Sequence, residues 1–287
     1  MTDTGFDGDE EEELSAEAAP SDHLSEEEIE AVAERKAGSA RVVHEVIRLQ
    51  GHEEMRRPLL SLLFSAFAAG LAITASVIAQ ASLRMRLPET PAAELVSDFG
   101  YSVGFVVVIL GNLQLFTETT VTAVLPIATH PRWRNIWRLG RLWAVVFGGN
   151  MAGTLLVAFL MARQVILSPE QLDAAVGLSS HLLRHDWLKT LLLGMPAGFL
   201  VASIAWILPN ARTSEFWIIL VITYVIALGG FSHVVAGSTE AWLLWLTGHA
   251  SLGWALGGFI GPALVGNIIG GTGLFAVLAH GQVRSEL

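Results

Sequence analysis

The sequence predicts an all-α integral membrane protein, six transmembrane helices in an inverted 3+3 repeat with the second and fifth helices broken. Three observations predict it: long apolar runs without charge, two such runs interrupted near their middles, and a motif that recurs between the halves. Hydrophobic residues are 52% of the chain and charged ones 15%, a composition suited to a bilayer as solvent. The net charge of −10 belongs to one end, because residues 1–58 carry 17 acids and 6 bases while residues 59–287 carry 10 and 11. There is no cysteine, which excludes disulfide and thiolate chemistry.

The first 34 residues hold 14 Asp or Glu and no Lys or Arg, too repulsive and too poor in apolar residues to pack alone. Residues 1–40 are therefore expected to be a disordered acidic tail, and they lack the basic start and apolar core of a signal peptide. Residues 41–58 show helical spacing, with Val42, Val43, Val46, Ile47 and Leu49 on one face, which predicts an amphipathic juxtamembrane helix.

The six-span body is expected over 59–280, followed by a short cytoplasmic tail, 281–287. Leu59 to Leu83 gives twenty-five residues without a charge, enough to cross a hydrocarbon core about 30 Å thick. The second run begins at Phe99, is interrupted by Leu115 to Glu118 and resumes to about Ala128. Leu142 to Ala162 and Thr190 to Leu208 form the third and fourth spans. The fifth, Phe216 to Gly248, contains GGFSHVVAGSTE, whose glycines weaken a helix around His233. A sixth lies within Ala250 to Ala279. Arg132, Arg134, Arg138 and Arg141 between the second and third spans have no acid among them; the positive-inside rule puts this segment and both termini in the cytoplasm.

GNMAGTLL at 149–156 recurs as GNIIGGTG at 266–273. Phe116 precedes Asn150, and His233 precedes Asn267, by 34 residues each, so the two interruptions occupy corresponding places. Three spans per half force the halves into opposite orientations. Interrupted helices at matching positions of an inverted repeat point to a binding site at the membrane midplane.

On Leu115-Phe116-Thr117, Gly149-Asn150, Leu200-Val201 with Ala205-Trp206, Gly230-Phe231-x-His233 with Ala236, and Gly266 to Gly271, the chain resembles the formate/nitrite transporter family over roughly residues 45–280. The resemblance implies an aquaporin-like fold and a homopentamer in the bacterial inner membrane, each protomer with its own pore for a small monovalent anion or its protonated form. It makes His233 the central histidine and Thr117 its hydroxyl partner. Leu115, Phe116, Tyr101, Phe105, Ile226 and Phe231 would line the path. An ionised solute loses hydration in such a pore at a cost of several kcal/mol, and its neutral form loses far less; histidine suits a proton exchange near neutral pH.

Departures from the family pattern carry information too. Glu118 stands where the family usually has a small or hydroxyl residue, and after Val235-Ala236 the family's usual Asn gives way to Gly237, Ser238, Thr239 and then Glu240; the two glutamates are expected either to set selectivity or to cap half-helices starting near Thr119 and Thr239. The family's vestibule lysine falls at Leu182. These changes resemble the YfdC-like branch. Asn150 and Asn267 are expected to tie loop carbonyls to the neighbouring span. The glycines at 149, 153, 253, 257 and 261 are expected to serve close helix packing, and Trp133, Trp137, Trp187 and Trp254 to anchor at the interface.

No cofactor or metal site and no nucleic-acid partner are expected; HExxH is absent. A hydrolase built on His233 and Ser238 lacks a base-orienting group. The alternatives are a pore for another small neutral or charged solute, or a non-transporting membrane scaffold or sensor.

Overall fold

In the computed structural model, which describes residues 39–88, 90–129, 132–211 and 213–283, the regular structure is helical throughout. Among the described residues, five helical stretches are long and apolar enough to cross a membrane: Leu59–Arg84, Pro91–Leu110, Trp133–Ala162, Trp187–Asn210 and Trp254–Val283. Two shorter apolar helices, Glu215–Leu228 and Val234–Leu246, lie between the last two. The expected acidic tail falls almost wholly outside the described residues, as do the last four residues.

The first helix, α1 (Ala40–Arg56), docks on the body of the protein by a different stripe from the one expected. Val43, Ile47 and Met55 are buried together with His44 and Glu54, whereas Val42 (52% exposed), Val46 and Leu49 are bare. The stripe is turned because two polar side chains find partners inside. Thr122 Oγ1 donates to Glu54 Oε2 at 2.7 Å, and His44 Nε2 lies 3.2 Å from His280 Nδ1.

The first span comprises α2 (Leu59–Ile73) and α3 (Ala75–Arg84). The next begins earlier than its apolar run, at α4 (Pro91–Asp98), because Thr90 caps it by accepting from Ala93 N–H and Pro91 opens it. It continues as α5 (Tyr101–Leu110), stops, and resumes as α6 (Phe116–Thr122) and α7 (Leu125–Thr129). The interruption is thus residues 111–115, not 115–118.

A 30-residue helix, α8 (Trp133–Ala162), comes next. At ~1.5 Å per residue it outruns a ~30 Å core by several turns. Arg134, Arg138 and Arg141, expected in a loop, are therefore in its first turns. After α9 (Pro169–Ser179) come α10 (Trp187–Ile207), α11 (Glu215–Leu228) and α12 (Val234–Leu246). The last span is wound as π-helix over Trp254–Ile260 and Ile269–Ala276, on either side of α13 (Gly261–Ile268), and ends with α14 (Val277–Val283). It outlasts the expected end at Ala279.

Backbones approach closely where side chains vanish. A Cβ on Gly198 would sit 2.2 Å from Asn267 O, and one on Gly153 would sit 2.5 Å from Phe67 O. Gly149 is similarly tight, its Cβ position 2.7 Å from that of Ala66. The expectation fails for Gly253, Gly257 and Gly261. Gly257 has no atom within 4 Å of its added Cβ, Gly253 only Ser251 Oγ at 3.8 Å, and Gly261 only Leu256 O of its own span.

Candidate functional site: a histidine at the floor of a vestibule

The two interruptions have the same construction. After α5, Asn112 N–H donates to Ile109 O and Leu113 N–H to Val108 O; after α11, Gly230 N–H donates to Ala227 O and Phe231 N–H to Ile226 O. Each is a Schellman ending, which places one residue in the left-handed region. Asn112 has φ 49° and Gly230 φ 58°. The chain then extends for three residues and a new helix begins, capped at Leu115 in one case and at His233 in the other. The counterpart of His233 is therefore Leu115, one residue from the equivalence that the 34-residue spacing suggests. Leu110-Gly111-Asn112-Leu113 beside Leu228-Gly229-Gly230-Phe231 is the sequence signal for that register.

Two asparagines hold the loops in place. Asn150 Oδ1 accepts from Phe116 N–H at 2.9 Å, and its Nδ2 donates to Ala66 O and Gln114 O. Asn267 does the same for the other loop, accepting from Val234 N–H at 2.9 Å and donating to Gly194 O and Ser232 O. Each side chain satisfies helix-end and loop groups that hydrocarbon would leave orphaned.

The new helix starts converge. Thr117 Oγ1 lies 2.8 Å from His233 Nε2, and both residues are buried. His233 Nδ1 accepts from Ala236 N–H at 3.1 Å. That bond assigns the ring's hydrogen to Nε2, which donates to Thr117 Oγ1, so the threonine's own hydroxyl hydrogen remains free to be donated onward. The edge of Phe105 meets the imidazole with ring centroids 4.9 Å apart, and Tyr101 comes next at 5.1 Å from Phe105.

Above this pair opens a cavity of about 820 Å³ whose wall includes Tyr101, Leu182, Ile226, Phe231, His233 and Glu240. Leu115, Phe116, Phe105 and Thr117 are not on its wall. Leu115 and Phe105 are fully buried, and Phe116 packs against Trp143 and Phe147 at 5.8 and 5.2 Å. The structure thus brings Tyr101, Ile226, Phe231 and His233 to the cavity and leaves the other path candidates off its wall.

The two glutamates differ from their expected capping role. Glu118 is in the first turn of α6, where no side chain caps the helix. Glu240 is well inside α12, whose start is Val234 rather than Thr239. His233, Gly237 and Glu240 succeed one another at helical spacing up the cavity wall. Ser238 bonds Thr154 at 2.9 Å rather than His233. The cavity wall also contains Asp98, Asp173, His181 and Phe259, which no motif announced because they come from segments distant in sequence. Among the described residues, no cluster of three or more His, Asp or Glu is placed to hold a metal.

Apolar helices long enough to cross a bilayer, packed around a cavity that ends on a buried histidine, have the architecture of a membrane channel or transporter. The family model described as formate/nitrite transporter matches residues 41–281. The inner membrane protein YfdC of Escherichia coli K12 is 37% identical over 261 residues, covering 90% of this chain and 84% of that one. The formate channel FocA of Haemophilus influenzae is 25% identical over 204 residues, covering 68% and 70%. Among solved structures, a pentameric formate channel with formate bound superposes with a TM-score of 0.68 at 21% identity, over 79% of this chain and 98% of that one. The chain belongs to the formate/nitrite transporter family. It is a membrane channel or transporter, not an enzyme.

Proposed function

We propose that the chain forms a pore for a small monovalent anion of the formate/nitrite class, passed in its protonated form past His233. The observation that carries this is the 2.8 Å hydrogen bond between Thr117 and His233, the latter a wall residue of the 820 Å³ cavity. In this reading the chain crosses the bilayer six times, the second and fifth crossings are broken, and the halves are inverted, as the repeated Schellman and asparagine geometry supports. Both termini are cytoplasmic, the membrane is a bacterial inner membrane and the assembly is a homopentamer, in line with the named relatives.

Phe105 and Leu115 provide the dry constriction, where an ion would have to shed its hydration. His233 donates to Thr117 and Thr117 donates to the solute, so the pair offers a hydrogen-bond donor at the point where water is excluded. Proteoliposomes containing the protein are expected to take up formate or nitrite faster than empty vesicles. Thr117→Val removes one donor worth ~1.4 kcal/mol and is expected to slow uptake about tenfold. Rates equal to those of empty vesicles for all tested solutes would defeat the pore reading.

A second reading, a pore for a neutral or differently charged solute, is favoured by one observation. Glu240 stands in the vestibule where an approaching anion would meet it.

A further inference from the structure

The vestibule is lined by more negative than positive groups. Glu94, Asp98, Glu170, Asp173 and Glu240 line it, against Arg84, Arg184 and His181. Arg84 is already committed to Glu94 at 3.3 Å. His181 donates from Nδ1 to Leu178 O at 2.7 Å and lies within electrostatic reach of Glu240.

Glu240 is the informative member. It is 7% exposed, it lies on the cavity wall, and among the described residues its carboxylate makes no direct hydrogen bond or ion pair, His181 being the basic group that acts on it from a distance. Its counterpart in the other half, by the register that pairs Leu115 with His233, is Thr122. That position is covered, because α1 brings Glu54 onto the Thr122 hydroxyl at 2.7 Å. At Glu240 the cover is looser: α9 packs on α12 and His181 acts on the carboxylate electrostatically, without a hydrogen bond to it among the described residues. A carboxylate on a cavity wall with no donor hydrogen-bonded to it within the protein keeps its acceptor sites open to a bound donor.

The neighbours of Glu240 narrow the class of donor. Tyr101, Phe231 and Phe259 present aromatic rings to the same cavity, and Phe259 reaches so close to Gly237 that a Cβ there would be 2.4 Å from its ring. Aromatic rings lining the same cavity as a carboxylate suit a compact cation carrying N–H groups. We propose that the vestibule is a binding site for a small monovalent cation of the ammonium and primary-amine class, with Glu240 as its anionic group and Tyr101, Phe231 and Phe259 as its aromatic wall. The site makes the pore's outer mouth cation-attracting. This rests on the reading that the cavity is the outer vestibule of the pore.

Titration of the purified full-length protein with methylammonium at neutral pH tests the site without requiring any flux. Saturable binding is expected, about tenfold weaker in Glu240→Gln, with the small neutral amide acetamide failing to displace it. Phe231→Leu, on the cavity wall and away from the helix interior, is expected to weaken binding severalfold even if Glu240→Gln folds poorly. In vesicles, Glu240→Gln is expected to speed formate entry by removing a repulsive charge. Absence of methylammonium binding to the parent, equal binding by both variants, or displacement by acetamide would overturn the cation site. A protein that binds methylammonium but moves no solute would overturn the pore reading alone.

Discussion

At the scale of single residues, the site depends on which atom of each polar side chain is already spoken for. Asn267 uses its carbonyl oxygen and its amide nitrogen on three backbone groups. Asn267→Ala would orphan the Val234 N–H and two carbonyls in a setting without water, at about 1–3 kcal/mol for each group left unpaired. A marked fall in the melting temperature of the detergent-solubilised protein is the expected outcome, and an unchanged melting curve would show that the loops hold without it. Thr117 behaves differently, since its hydroxyl is engaged by His233 alone. Thr117→Ser, which keeps the hydroxyl, is expected to retain uptake within a few-fold, so that the contrast with the valine variant isolates the donor from the packing.

Between elements, closeness of approach decides which small residues matter. Gly198→Ala drives a methyl into Asn267 O, with 2.2 Å available, and would push α10 off the last span at a cost of about 1–3 kcal/mol. Gly257→Ala meets open space and is expected to leave thermal stability almost unchanged. Melting curves of the two variants side by side check this. Helix α1 adds a dependence on pH. Burial pushes the Glu54 carboxyl above its usual range, against the opposing pull of the Thr122 and Gln50 hydrogen bonds, of Arg57 and of a Gln114 hydrogen bond. The docked helix then holds a proton that the undocked one releases, so docking is favoured at low pH and weakens as pH rises through the raised value. Amide exchange in residues 40–56 should accelerate with rising pH by more than its intrinsic rate, and Glu54→Gln should remove that excess.

For the whole molecule, the bare apolar side chains outside the vestibule set the surroundings it needs. Phe64 is 72% exposed and Trp217 63%, a surface stable against lipid or against other copies of the chain but not against water. A native mass of five times 30.8 kDa in mild detergent is the outcome expected of a homopentamer. A protein that stays monomeric after extraction and in lipid nanodiscs would count against that assembly.

The charge-free runs determined by themselves that the chain is helical and built for a bilayer, since hydrocarbon leaves the backbone few other ways to satisfy its own hydrogen bonds. The repeated Gly-Asn pair and the glycines around His233 located both interruptions to within a few residues, because helix breaking is a local property of the backbone. Only the tertiary structure decided the register that sets Leu115 opposite His233, the stripe by which α1 docks, and the placement of Glu240 inside a helix and on a cavity wall. These depend on hydrogen bonds between residues more than thirty positions apart, such as Asn150 to Phe116 and Glu54 to Thr122, and no periodicity along one segment records where another segment's donors will arrive.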